Sequence, residues 1–201
     1  MIGPGEIQRS LTAAWRIFLG RPDAMRAFDT SNDGFWRSFQ AIVLVAPLYA
    51  LTAIADWRAS LAAVLPDAEL PFGPEAFWTS KVILLGLDWV TLPILLAWLA
   101  GFLGIKRRYA AYIVARNWST VVAVAPFGAV ALLDLLGLLP GDAVLIPSLV
   151  ALVFALRLSY MVARTALAAP VEIAVGYVVF DFLVSLALVR IVGRLLGVES
   201  I

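Results

Sequence analysis

The chain contains no cysteine and no histidine. That removes disulfides, thiol nucleophiles, Cys/His zinc sites, histidine haem ligands and every histidine-based catalytic triad. Charge is scarce as well, at 14% of residues, and it is balanced, with 15 Lys+Arg against 14 Asp+Glu in 201 residues. A chain with no basic excess has little with which to neutralise phosphates, so nucleic acid is excluded as a partner. What fills the space is apolar. Hydrophobic residues make up 63% and the mean hydropathy is +0.96. Soluble domains carry about 45–50% apolar and about 25% charged residues. A domain of this size buries about 70–75% of its chain surface, so a soluble fold would leave large apolar patches in water. The composition therefore predicts an all-α, polytopic membrane helical bundle.

A membrane span needs about 20 mainly apolar residues. Five segments qualify, at about 38–55, 82–103, 118–139, 143–163 and 171–192. They are continuous apolar runs, unlike the alternating ten-residue strands of outer-membrane barrels. The chain divides into a leader, 1–37, and a five-span domain, 38–201. Pro140-Gly141-Asp142 reads as a tight turn joining spans three and four into a hairpin. The first apolar run starts behind five arginines, has the length of a span and lacks a nearby small-x-small site, so it reads as a retained span and not a cleaved signal.

Lys and Arg placement sets the expected orientation. With the N-terminus inside and the C-terminus outside, 11 basic residues fall on the cytoplasmic side and 4 on the other. Arg190 and Arg194 run against this scheme. Trp36, Trp57, Trp78, Tyr109, Tyr112 and Trp118 fall near span ends, where amphipathic rings sit at the interface. Arginine outnumbers lysine 13 to 2, a usage that points to a GC-rich bacterium and hence a bacterial inner membrane.

In the leader, Ile7, Leu11, Ala14, Trp15 and Phe18 form one stripe of a helix, with Arg9 and Arg16 on other faces. The stripe is expected to lie in lipid with the arginines near anionic headgroups. Packing on the protein's own helices is the alternative. Asp29-Thr30-Ser31-Asn32-Asp33-Gly34 resembles the front half of a calcium loop. Arg37 and Gln40 occupy the later ligand positions, so the segment reads instead as an Asx-rich turn, with Asn32 or Asp33 capping the next helix.

Ionisable residues at membrane depth are functional candidates by default. They are Asp88, Asp134, Arg157, Glu172, Asp181 and Arg190. Depth arithmetic places Arg157 between Asp181 and Glu172, as the partner of either. Asp88, Asp134 and Arg190 are expected to form a second, outer cluster. Tyr177 shares a helix face with Asp181. Such a set serves either as structural pairing or as a polar pathway. Prolines 47, 93, 126 and 147 lie inside the spans, and Val45-Ala46-Pro47 and Val124-Ala125-Pro126 form a faint repeat. An aspartyl enzyme site would need two carboxylates sharing a proton, and neither Asp88 nor Asp181 stands in a recognisable protease sequence. No catalytic, cofactor or metal residue is assigned.

The leader ending in Gly20-Arg21-Pro22-Asp23, the segment Tyr109–Pro126 and the short third-to-fourth turn together resemble the Yip-type family of small five-span membrane proteins. The resemblance is one of layout over most of the chain and implies a cytoplasmic leader and five closely packed spans. The acidic leader motif of eukaryotic members is absent, so their trafficking and GTPase-partner roles attach to no residue here. The expected function is therefore a non-enzymatic inner-membrane protein that binds lipid or other membrane proteins, or associates with itself. The second expectation is a small transporter or channel working through the intramembrane Asp and Arg residues.

Overall fold

The computed structural model describes residues 3–64, 70–139 and 141–198. It is an all-helical bundle with no strand among those residues. Helix α1 spans Pro4–Phe18 and α2 spans Asn32–Ser38. After a 3-10 turn at Phe39–Ala41, α3 runs over Ile42–Ala62, so that Asn32–Ala62 forms one 31-residue rod. Four more helices follow: α4 Pro74–Leu99, α5 Tyr109–Leu135, α6 Leu145–Ala166 and α7 Val171–Leu196. Five of these helical segments are long and apolar enough to cross a membrane. A 26-residue helix is about 39 Å long, more than the roughly 30 Å hydrocarbon core requires.

The boundaries differ from the apolar runs in an informative way. Helix α4 begins at Pro74, not residue 82, and α5 begins at Tyr109, not residue 118. The extra turns carry polar residues that packing tolerates. The expected Pro140 turn and the cap by Asp142 fall outside the described residues and side chains, while the backbone of Gly141–Val144 forms a 3-10 turn leading into α6. Pro147 is the third residue of α6, in its first turn, where a missing N–H breaks no helical bond. Pro47, Pro93 and Pro126 are truly interior.

The helices close into a ring in the order α3, α5, α6, α7, α4, with α4 returning to α3. Helix α5 is the hub, touching α1, α2, α3, α4 and α6. Its buried residues include Ile113, Val114, Ala115, Trp118 and Ser119. Tyr112 and Trp118 are 4% and 1% exposed, so they are core residues and not the interfacial aromatics expected from their position in the chain. Small residues permit close approach. A Cβ added at Gly128 on α5 would lie 3.0 Å from Leu48 Cδ2 on α3. The outer faces of α6 and α7 expose Leu145, Ile146, Val150, Val153, Leu183 and Leu195, a surface suited to lipid and not to water.

Helix α1 lies on α5 and α6. Ser10, Ala13, Ala14 and Ile17 are buried in that contact, and Ile7, Leu11 and Phe18 pack against the core. Of the stripe read as lipid-facing, only Trp15 is exposed, and it stacks on Phe18 and on Phe154 of α6. The stripe is thus seated mainly on the protein's own helices. Arg9 is exposed and Arg16 pairs with Asp23. Gly20, at φ +77°, ends α1, with Gly20 N–H donating to Ile17 O and Arg21 N–H to Arg16 O.

The segment read as an Asx-rich turn forms one at Asp29 and serves as a clamp. Ser31, not Asn32 or Asp33, caps α2 by accepting from Gly34 N–H at 3.1 Å. Asp29 Oδ1 accepts from Ser31 N–H at 3.0 Å. Arg37 then donates to Asp29 at 2.5 Å and to Glu6 of α1 at 3.1 Å. The bonds from Ser31, with the Arg37 guanidinium adding its charge, hold the Asp29 carboxyl below the usual carboxylate range. A Cβ at Gly34 would overlap the Asp29 carbonyl oxygen and lie 2.6 Å from its Cγ. Gly34→Ala is therefore expected to lower stability by about 1–3 kcal/mol through overpacking, read as a drop in thermal midpoint in detergent. An unchanged midpoint would show that the loop gives way freely.

Candidate functional site

The ionisable residues at membrane depth sort into different places from those expected. Arg116, just ahead of the predicted start of its span, lies inside α5 and donates through Nη2 to Asp181 Oδ1 on α7 at 3.3 Å. Both side chains are largely buried, at 12% and 26% exposure. Asp88 on α4 accepts a short hydrogen bond from Ser185 Oγ on α7. Asp88 and Asp181 lie eleven and ten residues from the neighbouring helix ends at Leu99 and Val171, which places both about 15 Å from one end of the ring.

These groups line two adjoining hollows. The first, of about 140 Å³, is lined by Asp88, Tyr112, Arg116, Ser119, Ser159 and Asp181, among others. The second, of about 310 Å³, shares Asp88, Ser159 and Asp181 and continues between Phe127, Leu152, Leu156 and Phe182. The lining of the first is arranged by helix periodicity. Tyr112, Arg116, Ser119 and Ala123 recur at three- and four-residue intervals, so one face of α5 presents them all. Serine and aspartate on α4, α6 and α7 complete the ring around it.

Two donors at this site lack acceptors among the described residues. They are Arg116 Nη1 and Ser119 Oγ, and Ser119 is only 2% exposed. Unsatisfied donors in an otherwise apolar interior are expensive unless water or a ligand meets them. The arrangement holds two carboxylates, one guanidinium and several hydroxyls in a space well above the roughly 30 Å³ that one water occupies. Such groups can pair with and hydrogen-bond a polar molecule or ion held within the ring.

The other candidates lie elsewhere. Arg157 does not pair with Asp181 or Glu172. It is exposed on α6, donates to the Phe18 carbonyl at 3.3 Å and sits 5.1 Å from the centroid of the Phe18 ring. A cation at the carbonyl end of a helix offsets the helix dipole, so Arg157 fastens the end of α1. Glu172 is exposed in the first turn of α7, the favourable end for an acid. It lines an apolar groove of about 270 Å³ between α4 and α7 with Tyr177 and Leu99. Tyr177 is buried 5.8 Å from the Tyr112 ring, and its hydroxyl has no partner among the described residues.

The expected outer cluster does not form. Asp88 belongs to the central site. Asp134 lines a separate hollow with Asp56 and Arg58 at the far end of the ring, where Arg58 donates to the Leu135 carbonyl at 3.0 Å and Lys81 pairs with Asp56 at 2.6 Å. Arg190 is exposed on α7. A further buried polar contact has no signature in the linear sequence. Asn117 Nδ2 donates to Ser38 Oγ at 3.0 Å, and Ser38 Oγ donates to Phe35 O at 2.7 Å, joining α5 to α2. No cluster of three potential metal-ligating residues occurs among the described residues. Comparisons of the chain with protein-family models, with curated proteins and with solved structures find no match in any of the three.

Proposed function

We propose that this is a small, non-enzymatic membrane protein of transporter type, binding a polar solute at the mid-membrane pocket of Asp88, Arg116 and Asp181. The observation that carries the reading is the pocket itself, a charged and hydroxyl-lined space inside a ring of apolar helices, with two buried donors on its wall that have no acceptor among the described residues. Intramembrane ionisable groups facing a cavity mark substrate or ion pathways in membrane proteins. The site's groups bind and orient. The sequence has no histidine to activate one of its hydroxyls as a nucleophile.

The competing expectation, binding of lipids or other membrane proteins through the leader, is left with less surface, since most of the apolar face of α1 is occupied by α5 and α6. In this reading the leader is cytoplasmic, which the distribution of arginine and lysine supports, and the membrane is a bacterial inner membrane. The likeness to Yip-type proteins remains one of layout and assigns no role to the pocket.

The test is a thermal-unfolding screen of the purified protein in lipid nanodiscs against panels of small cationic, anionic and zwitterionic solutes. A ligand present at a hundredfold its Kd adds about 2.7 kcal/mol to the stability of the state that binds it. At least one panel is expected to raise the midpoint, and the gain is expected to vanish in Arg116→Gln. Absence of any stabilisation by all three panels would sink the proposal.

A further inference from the structure

The charges and open donors of the pocket specify more than polarity, and the ligand class they define rests on the solute-binding reading. Arg116 is matched by Asp181 at 3.3 Å. Asp88 has the Ser185 hydroxyl as its hydrogen-bond partner and no cation within ion-pair distance among the described residues. With both carboxylates ionised, the three charged groups sum to one negative charge, at a depth where net charge is costly. One positive charge beside Asp88 neutralises the site.

The opposite wall has a different need. Ser119 Oγ, in a residue 2% exposed, and Arg116 Nη1 are donors without acceptors among the described residues, and both residues line the same hollow as Asp88. A ligand that satisfies the whole pocket therefore brings a cation to Asp88 and an acceptor to Ser119 and Arg116. An anion fails the first requirement and a plain alkylammonium the second. A zwitterion meets both but, having no net charge, leaves the site negative. The adjoining hollow, walled by Phe127, Leu152, Leu156 and Phe182, accepts alkyl groups attached to the amine.

We infer that the pocket binds a small monocationic amine carrying a neutral hydrogen-bond acceptor, such as a hydroxyl, ether or carbonyl. The ammonium lies against Asp88, and the acceptor takes the Ser119 and Arg116 donors.

The experiment is titration calorimetry of the full chain in nanodiscs with four probes: 2-dimethylaminoethanol, propylammonium, alanine and lactate. The amino alcohol is expected to bind tightest and lactate not at all. Asp88→Asn removes a charge-assisted contact and should weaken the amino alcohol on the order of tenfold to a hundredfold. Ser119→Ala removes a hydroxyl that has no partner among the described residues, so the fold should tolerate it. It should weaken the amino alcohol toward the level of propylammonium while leaving propylammonium itself unchanged. That pattern keeps the inference testable even where Asp88→Asn folds poorly. Tightest binding by alanine or lactate overturns the ligand class and leaves the solute-binding reading standing. Equal loss of both amines in Ser119→Ala overturns the assignment of the acceptor wall. Binding by none of the four overturns the inference, while the wider solute panels separately decide the reading it rests on.

Discussion

Arg116→Gln is expected to destabilise the folded bundle by about 3–5 kcal/mol, because it leaves the Asp181 carboxylate buried without its cation. Arg116 and Asp181 join α5 to α7 across the ring, with side chains 12% and 26% exposed. The penalty belongs to the orphaned charge more than to the lost attraction. Asp181→Asn should therefore also destabilise, and the double variant Arg116→Gln/Asp181→Asn should recover much of the loss. Unfolding in mixed micelles, with the four proteins compared as a double-mutant cycle, measures this directly. Strictly additive losses would mean that the two residues act independently and that the contact has no energetic weight. Arg157→Gln is the contrasting case. Arg157 is exposed and bonded to the end of α1, so its loss should loosen α1 without disturbing the ring.

The second large effect is expected at Trp118. It heads the fully buried side chains by volume, at 1% exposure on the hub helix α5. Within a membrane, hydrophobic transfer from water no longer drives helix association, and close van der Waals packing takes its place. Trp118→Ala opens a cavity where α5 packs on its neighbours and is expected to cost about 3–5 kcal/mol. Trp98, 82% exposed on α4, provides the reference, since exposed substitutions change stability by about 0.5 kcal/mol or less. A midpoint that falls equally in Trp98→Ala and Trp118→Ala would show that burial does not govern stability here.

The membrane architecture is legible in the sequence because it depends on composition and run length, which neighbours in space hardly alter. All five apolar runs form helices of spanning length. The charge partners are not legible, and the reason lies at one residue. A hydropathy window ends where charge begins, which puts Arg116 in a loop and makes Arg157, inside an apolar run, the deep cation. Helices do not stop at the edge of an apolar run. Tyr109–Ala115 is free of glycine and proline, so α5 extends through it and carries Arg116 into the ring. The spacing of Tyr112, Arg116 and Ser119 holds the signal. Depth arithmetic alone is also unable to say which helices are neighbours. It puts Asp88 beside Asp134, whereas the ring places α4 against α7 and so brings Asp88 to Ser185 and Asp181. The leader presents the same difficulty, since an amphipathic stripe looks identical whether lipid or protein covers it.

The ring order has a consequence for how the molecule is made. Helices α3 and α4, successive in the chain, meet only lightly, while α4 finds its main partner in α7, which follows α5 and α6 in the chain. The polar pocket therefore has no fourth wall until α7 has been made. Arg116 enters the bilayer well before Asp181 does, and Asp88 earlier still. The nascent chain must carry both charges through an interval in which Asp181 is not yet available. Helix α7 then acts as the closing stave, arriving with the carboxylate that Arg116 lacks and the serine that Asp88 lacks. Chains released before Asp181 should accordingly be inserted but open, a form that membrane quality-control proteases would recognise by its unpaired intramembrane charge.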